Sequence, residues 1–141
     1  MSETGWLLHP QLAKDTVTAC DLALSRVLAM NDAEFPWLIL VPRRTDVSDI
    51  IDLGDEQAIL MEELSLISQV LKDETRCDKL NIAAIGNLVP QLHIHVVARR
   101  KDDPLWPKPI WGIAPRRTLE AAAMDRFASA IWNRVRGQLS L

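Results

Sequence analysis

Two histidines and a glutamine alternate with aliphatic residues in the stretch Gln91-Leu92-His93-Ile94-His95-Val96-Val97. Alternation of polar and apolar residues is the period of a β-strand with one buried face. The pattern therefore predicts that Gln91, His93 and His95 point to the same side of a strand. A strand fixes side-chain direction better than a loop does, so it is a good support for reactive groups.

Three interpretations of this row are open. It could be a solvated strand face that happens to carry two imidazoles. It could be a metal site, but zinc requires three or four ligands, and the other candidates, His9, Cys20 and Cys77, stand in no ligand spacing. The third interpretation is nucleophilic catalysis, in which one imidazole attacks phosphorus and its neighbour steers a phosphate oxygen.

The row resembles the motif His-φ-His-φ-His-φ-φ, with φ apolar, of the histidine triad family of nucleotide hydrolases and transferases. Gln91 takes the place of the first histidine. The flanks are similar too: residues 81–90 resemble the strand and glycine-containing turn before the motif, and residues 98–107 resemble the segment after it. Residues 30–32 and 38–44 resemble the family's first hairpin, and the resemblance spans roughly residues 20 to 112.

The resemblance implies a role for each polar residue of the row. His93 would attack the α-phosphorus of a nucleotide conjugate, such as a dinucleoside polyphosphate or a nucleoside phosphoramidate, and form a nucleotidyl-histidine intermediate. His95, in its protonated form, would stabilise charge on the transferred group. Gln91 would orient His93 or a phosphate oxygen, and replacement by histidine should be tolerated. The motif requires no metal and no other cofactor.

The resemblance also marks residues that would bind substrate. Asn31 would bond the ribose hydroxyls, while Asp32 beside it is expected in a turn. Asn81 would reach the sugar–phosphate region, and Asn87 would contact the phosphates. For Asn87 a simple turn is an equally ordinary explanation, because asparagine favours turns. Leu88 stands where the family often has a phosphate-binding hydroxyl, so one phosphate contact is expected to be missing.

The row and its departures from the motif support functions from two different classes. One is an enzyme that hydrolyses or transfers a nucleotidyl group. The alternative is a nucleotide-binding regulatory protein with weak catalysis, for which Gln91 and Leu88 are the suggestive features. Intact His93 and His95 favour the enzyme.

The base of the nucleotide is expected in an apolar slot beside the first hairpin. Leu28, Phe35 and Ile39 are candidates by location, although such residues more often belong to the core. Trp111 lies in a proline-rich segment, and we expect it to anchor that segment to the core.

Composition indicates a single domain over residues 1–141, long enough for a proper core. The chain is 48% hydrophobic with a net charge of −3, which gives no general attraction to nucleic acid or membrane. Its two isolated cysteines and acidic N-terminus, without the features of a signal peptide, favour a cytoplasmic protein.

Periodicity predicts an α+β fold with an antiparallel β-sheet and flanking helices. The predicted strands are Cys20–Met30, Trp37–Val41, Leu80–Ile85 and Leu92–Ala98, and the predicted helices are Asp49–Leu53, Asp55–Lys72 and Thr118–Arg136. Leu7–Asp15 is expected to be a short helix or loop. Thr118 would cap the last helix and Gly137 would end it.

The family commonly pairs as homodimers through the sheet and the long helix. In this chain Ile59, Met61 and Leu66 widen the apolar surface of the helix beyond one core-facing stripe. We therefore expect a symmetric homodimer.

Overall fold

Five antiparallel strands form a single sheet in the order β1-β2-β3-β5-β4 in the computed structural model, which describes residues 2–113 and 117–140. The strands are β1 (Thr16–Asp21), β2 (Ser25–Met30), β3 (Trp37–Pro42), β4 (Lys79–Ala83) and β5 (Ile94–Arg99). The helices are α1 (Pro10–Asp15), a 3₁₀ helix (Ile50–Glu56), α2 (Gln57–Thr75) and α3 (Ala121–Gln138). This confirms the predicted α+β architecture.

The segment predicted as one strand from Cys20 to Met30 is instead a tight hairpin. The chain reverses between β1 and β2, and the buried carboxylate of Glu63 on α2 accepts the backbone N–H groups of Leu24 and Ser25 at 2.8 and 2.9 Å. A reversal that depends on a side chain about forty residues away has no local turn signal, which is why the apolar strand pattern runs through it.

One face of the sheet packs against α2 and α3. Its core residues are Val27, Ala29, Leu38, Leu40, Val96 and Ala98 from the strands and Ile67, Val70, Leu71, Met124, Ile131 and Val135 from the helices. The alternating residues of the same strands therefore point to the opposite face.

The opposite face is covered by irregular chain rather than by long helices. Trp6 and Leu8 before α1, Leu12 within it, and Ile110 and Trp111 after β5 pack against this face. The strand residues that they cover include Leu28, Trp37, Ile39 and Val97. This is the face to which His95 belongs, because it lies two residues before Val97 on β5.

The last helix begins later than predicted. The Asn31 side chain accepts the backbone N–H of Leu119 at 2.6 Å, which holds this segment against the connection between β2 and β3. The helix therefore starts at Ala121, and Thr118 is not its cap. Gly137 lies inside α3, which ends at Gln138. No described helix is long and apolar enough to cross a membrane.

Candidate active site

His93 lies just before β5 and is 6% exposed. Its Nδ1 is 2.7 Å from the backbone carbonyl oxygen of Gln91. A carbonyl oxygen only accepts, so Nδ1 carries the proton and the lone pair of Nε2 is left for another partner. The contact thus orients an imidazole in the tautomer that a nucleophile at Nε2 requires.

His95 lies on β5, opposite Ile39 of β3 and Ala83 of β4. The indole Nε1 of Trp37 donates to His95 Nδ1 at 3.0 Å, so the ring proton of neutral His95 lies on Nε2. Burial, and secondarily the nearby His93, lowers the pKa of His95 to about 4. Near pH 7 the ring is therefore a neutral N–H donor rather than the protonated imidazole considered from the sequence.

Four aromatic rings form the centre of the site. The centroids of His93 and His95 are 4.9 Å apart at an interplanar angle of 73°. Trp111 lies 5.6 Å from His95 and 6.4 Å from Trp37. Trp111 anchors its segment as predicted, but it also covers His95, and the two histidines are buried rather than exposed.

Gln91 does not lie on β5, and its side chain turns toward the N-terminal segment. Its Nε2 donates to the carbonyl of Leu7 at 2.8 Å, and its Oε1 accepts the backbone N–H of His9 at 2.9 Å. The contact between Gln91 and His93 is made by the main chain of Gln91 alone. The side chain therefore fastens the N-terminal segment beside the histidines.

Two cavities flank the aromatic centre. One, of about 330 Å³, has His93 in its wall, together with residues 48–51 and 84–86. The other, of about 620 Å³, is lined by Asp32, Phe35, Trp37 and Trp111 among others. The larger cavity does not include the histidines, but two of its lining residues, Trp37 and Trp111, have ring centroids 5.5 and 5.6 Å from that of His95.

Residues 11–102 match the model of the HIT domain. The chain belongs to the histidine triad (HIT) family. No curated protein sequence matches it at a significant level.

Solved structures of HIT proteins superpose closely on the chain. A histidine triad protein from Bradyrhizobium japonicum is 51% identical, with a TM-score of 0.88 over 92% of this chain and 98% of its own. Histidine triad proteins from Sinorhizobium meliloti and Marinobacter aquaeolei are 39% and 37% identical, with TM-scores of 0.90 and 0.89. Each covers 94% of this chain, and their own chains are covered to 99% and 97%.

Two of the three asparagines expected to bind substrate in this HIT protein have structural partners. Asn31 Oδ1 accepts the backbone N–H of Leu119. Asn81 Oδ1 accepts from Arg99 at 2.9 Å. Arg99 is 1% exposed and makes two bonds to Asp103, whose pKa is lowered chiefly by that contact. The amide nitrogens of both asparagines make no bond within the described part of the chain.

The third asparagine, Asn87, is exposed and follows Gly86, which has a φ of 67°. Its side chain bonds no described residue, and Leu88 beside it is 95% exposed. Of the slot predicted for the base, Leu28 and Ile39 are fully buried in the core, and only Phe35 lines a cavity. Asp32, which was expected in a turn, stabilises the connection between β2 and β3: its Oδ1 accepts the backbone N–H groups of Glu34 and Phe35.

Trp37 was missed as a site residue. Its part in the site depends on the register between β3 and β5, where Trp37 pairs with Val97 and so lies diagonally across from His95. Within residues 2–113 and 117–140, no three His, Cys, Asp or Glu side chains are grouped as metal ligands.

The depressed pKa of His95 predicts that stability falls in mild acid. Below pH 6.5 the unfolded chain binds a proton at this histidine, whereas the folded chain binds it only as the pH approaches about 4. Between pH 7 and 5 the free energy of unfolding should fall by about 2 kcal/mol from this group. Urea unfolding at the two pH values measures the loss, and His95→Gln should remove most of it; an equal loss in the variant would contradict the assignment.

Gln91→Ala should lower the free energy of unfolding by about 1–3 kcal/mol, because two bonds to the N-terminal segment are lost. Gln69→Ala is the control: its amide makes one exposed bond to Asp73 on α2, and its loss should cost less than about 0.5 kcal/mol. Urea unfolding compares the variants. Equal effects would mean that Gln91 does not fasten the segment.

Proposed function

We propose that this HIT protein is an enzyme that hydrolyses or transfers the nucleotidyl group of a nucleotide conjugate through a covalent nucleotidyl-histidine intermediate. The observation that carries the proposal is the contact between His93 Nδ1 and the Gln91 carbonyl oxygen. It leaves Nε2 as the nucleophilic atom, and it opposes rotation of the ring. An imidazole held in this way needs no separate base to become a nucleophile.

In the first step the lone pair of His93 Nε2 forms a bond to the α-phosphorus. The bond between phosphorus and the leaving group breaks, and the leaving group departs with that electron pair and takes a proton from water. The imidazole becomes cationic, and the Gln91 carbonyl stabilises it because Nδ1 still donates to that oxygen. In the second step water, or another acceptor, attacks phosphorus and releases its proton to solvent, while the bond from phosphorus to Nε2 breaks and His93 leaves with its lone pair restored.

His95 acts as a hydrogen-bond donor in this proposal, not as a cation. The Trp37 indole occupies its Nδ1, so Nε2–H is the group that can reach a phosphate oxygen. Charge that develops on that oxygen is stabilised by a donor whose direction is already set, and a buried donor is more effective than an exposed one.

The cavity of about 620 Å³ has the size of a small-ligand site and supports binding of the nucleoside. Phe35, Trp37 and Trp111 offer aromatic surface for a base. We propose that Asn87 contacts the phosphates with its free amide. Asn31 and Asn81 retain a donor N–H₂ for the sugar, while their oxygens hold neighbouring segments.

Trapping the intermediate tests the proposal. Brief mixing with an adenosine 5′-phosphoramidate, acid quench and mass spectrometry should show one adenylyl group on a peptide that contains His93. A nucleotide-binding regulatory protein would bind the nucleotide product without forming this adduct.

Free thiols at Cys20 and Cys77 fit an enzyme of the reducing cytoplasm.

We also propose that the protein is a homodimer, with the second copy on α2 and β4. β4 is an edge strand, and beside it lies a groove of about 360 Å³ whose wall includes Met61, Leu80 and Ile82. Met61 and Ile82 are 61% and 47% exposed although α3 packs on α2. Leu66, by contrast, packs against the core. A free strand edge beside an apolar groove suits pairing with its own copy about a two-fold axis.

Light scattering at micromolar concentration should therefore give about twice the 15.9 kDa of one chain. Met61→Lys should lower the mass toward that of one chain, because it places a charge in the apolar contact. Leu139→Lys, an exposed position near the end of α3, should leave the mass unchanged. A wild-type mass near 15.9 kDa would rule out the dimer.

A further inference from the structure

The cavity beside His93 has aliphatic walls. Its lining includes Ile50 and Ile51, at the start of the 3₁₀ helix, and Ile85. These three side chains are 40%, 77% and 44% exposed. Large aliphatic side chains left exposed around one opening indicate a binding surface for an apolar group.

The same cavity lacks positive charge. Among the described residues that line it, Asp49 is the only acidic one and none is Lys or Arg. The arginines nearest in the chain are committed elsewhere, since Arg44 pairs with Glu56 and Arg43 bonds Glu3. A polyphosphate chain needs cationic partners to offset its desolvation, and this cavity supplies none.

The apolar walls and the absence of cationic side chains have the same chemical consequence. Both favour an uncharged group over an anionic one in this cavity.

We propose that the cavity beside His93 receives the leaving group of the nucleotide conjugate, and that it selects an uncharged, apolar leaving group over a polyphosphate or an anionic one. The inference rests on the proposed function. In-line attack by His93 Nε2 directs the leaving group away from the imidazole, toward the aliphatic side chains around the opening. The bond from phosphorus to the leaving nitrogen or oxygen breaks, and that atom keeps the electron pair and takes a proton from water.

Two adenosine 5′-phosphoramidates with amines of similar basicity, phenethylamine and glycine, test the inference. Because the nucleoside and the reacting bond are shared, the ratio of their kcat/KM values reports on the leaving-group cavity. The phenethylamine conjugate should have a kcat/KM about tenfold or more higher, as burial of an aromatic ring predicts. Diadenosine tetraphosphate should be a poorer substrate than the phenethylamine conjugate.

Ile51→Lys should lower the ratio of the phenethylamine kcat/KM to the glycine kcat/KM about tenfold or more. The lysine weakens the apolar contact and attracts the glycine carboxylate. The position is exposed, so the fold should be kept, and circular dichroism checks that it is. Leu139→Lys, which adds the same charge near the end of α3, should leave the ratio unchanged.

Equal kcat/KM values, or a preference for the glycine conjugate or the tetraphosphate, would overturn the inference while leaving nucleotidyl transfer at His93 in place. A change of oligomeric mass in Ile51→Lys would also overturn the inference, because it would mean that a second copy of the chain covers the cavity in the wild-type protein. If no conjugate is turned over and none labels His93, both the inference and the proposed function fail.

Discussion

His93→Ala is expected to lower turnover of an adenosine 5′-phosphoramidate roughly a thousandfold or more. The loss should be this large because no other imidazole is placed to substitute. His95 has its Nδ1 occupied by Trp37 and its Nε2 protonated, and His9 uses Nδ1 to cap α1. Single-turnover kinetics with an excess of variant protein over substrate measures the residual rate.

A loss of turnover in His93→Ala must be shown to come from the missing nucleophile and not from a loss of folding. His93→Asn can keep a donor near the Gln91 carbonyl but has no nucleophile, so it should unfold at nearly the same urea concentration as the wild type and still be inactive. His93→Gly leaves space for imidazole from solution, which should restore part of the turnover. Near-normal turnover of His93→Ala would refute the assignment of His93 as the nucleophile.

The motif could be predicted from the sequence because its chemistry depends on local spacing. Alternation places His93 and His95 two residues apart, and the structure brings their rings within 4.9 Å. The bond from His93 to the Gln91 carbonyl joins residues two apart. Features of this kind require no knowledge of tertiary structure.

The surroundings of the motif could not be predicted in the same way. Trp37 precedes His95 by 58 residues, and Trp111 lies after it, across an irregular segment. Their contacts help to bury His95, and burial is the main cause of its lowered pKa, which removes the positive charge expected for it. The protonation state of a histidine is a property of its environment, and that environment is assembled by strand register and chain crossings.

The role of Gln91 illustrates the same limit. As a residue in the first position of the motif it was expected to face the phosphate or His93. Its amide instead bonds two backbone groups of the N-terminal segment, more than eighty residues earlier in the chain. The position contacts His93 through the main-chain carbonyl, which any residue supplies. The side chain is thereby free to serve the packing of this particular chain.

His95→Ala is expected to lower kcat about a hundredfold or more while changing KM little. The buried Nε2–H acts on charge that develops in the transition state, so its removal should affect the chemical step more than substrate binding. Kinetics over a range of substrate concentrations separates the two parameters. An unchanged kcat with only a raised KM would show that His95 serves binding alone.

Trp37 offers a test of how His95 is held. The indole acts through His95 Nδ1, which makes Trp37 a positioning residue. Trp37→Phe keeps an aromatic ring but loses the donor, so kcat should fall about tenfold, the worth of one buried hydrogen bond. In the His95→Ala background the same substitution should cost far less than tenfold, because the indole has no imidazole left to orient. Equal losses of kcat in the two backgrounds would mean that Trp37 contributes to catalysis by some other contact. If Trp37 acts by orienting a neutral donor at His95, the effects of Trp37→Phe and His95→Ala on kcat do not add.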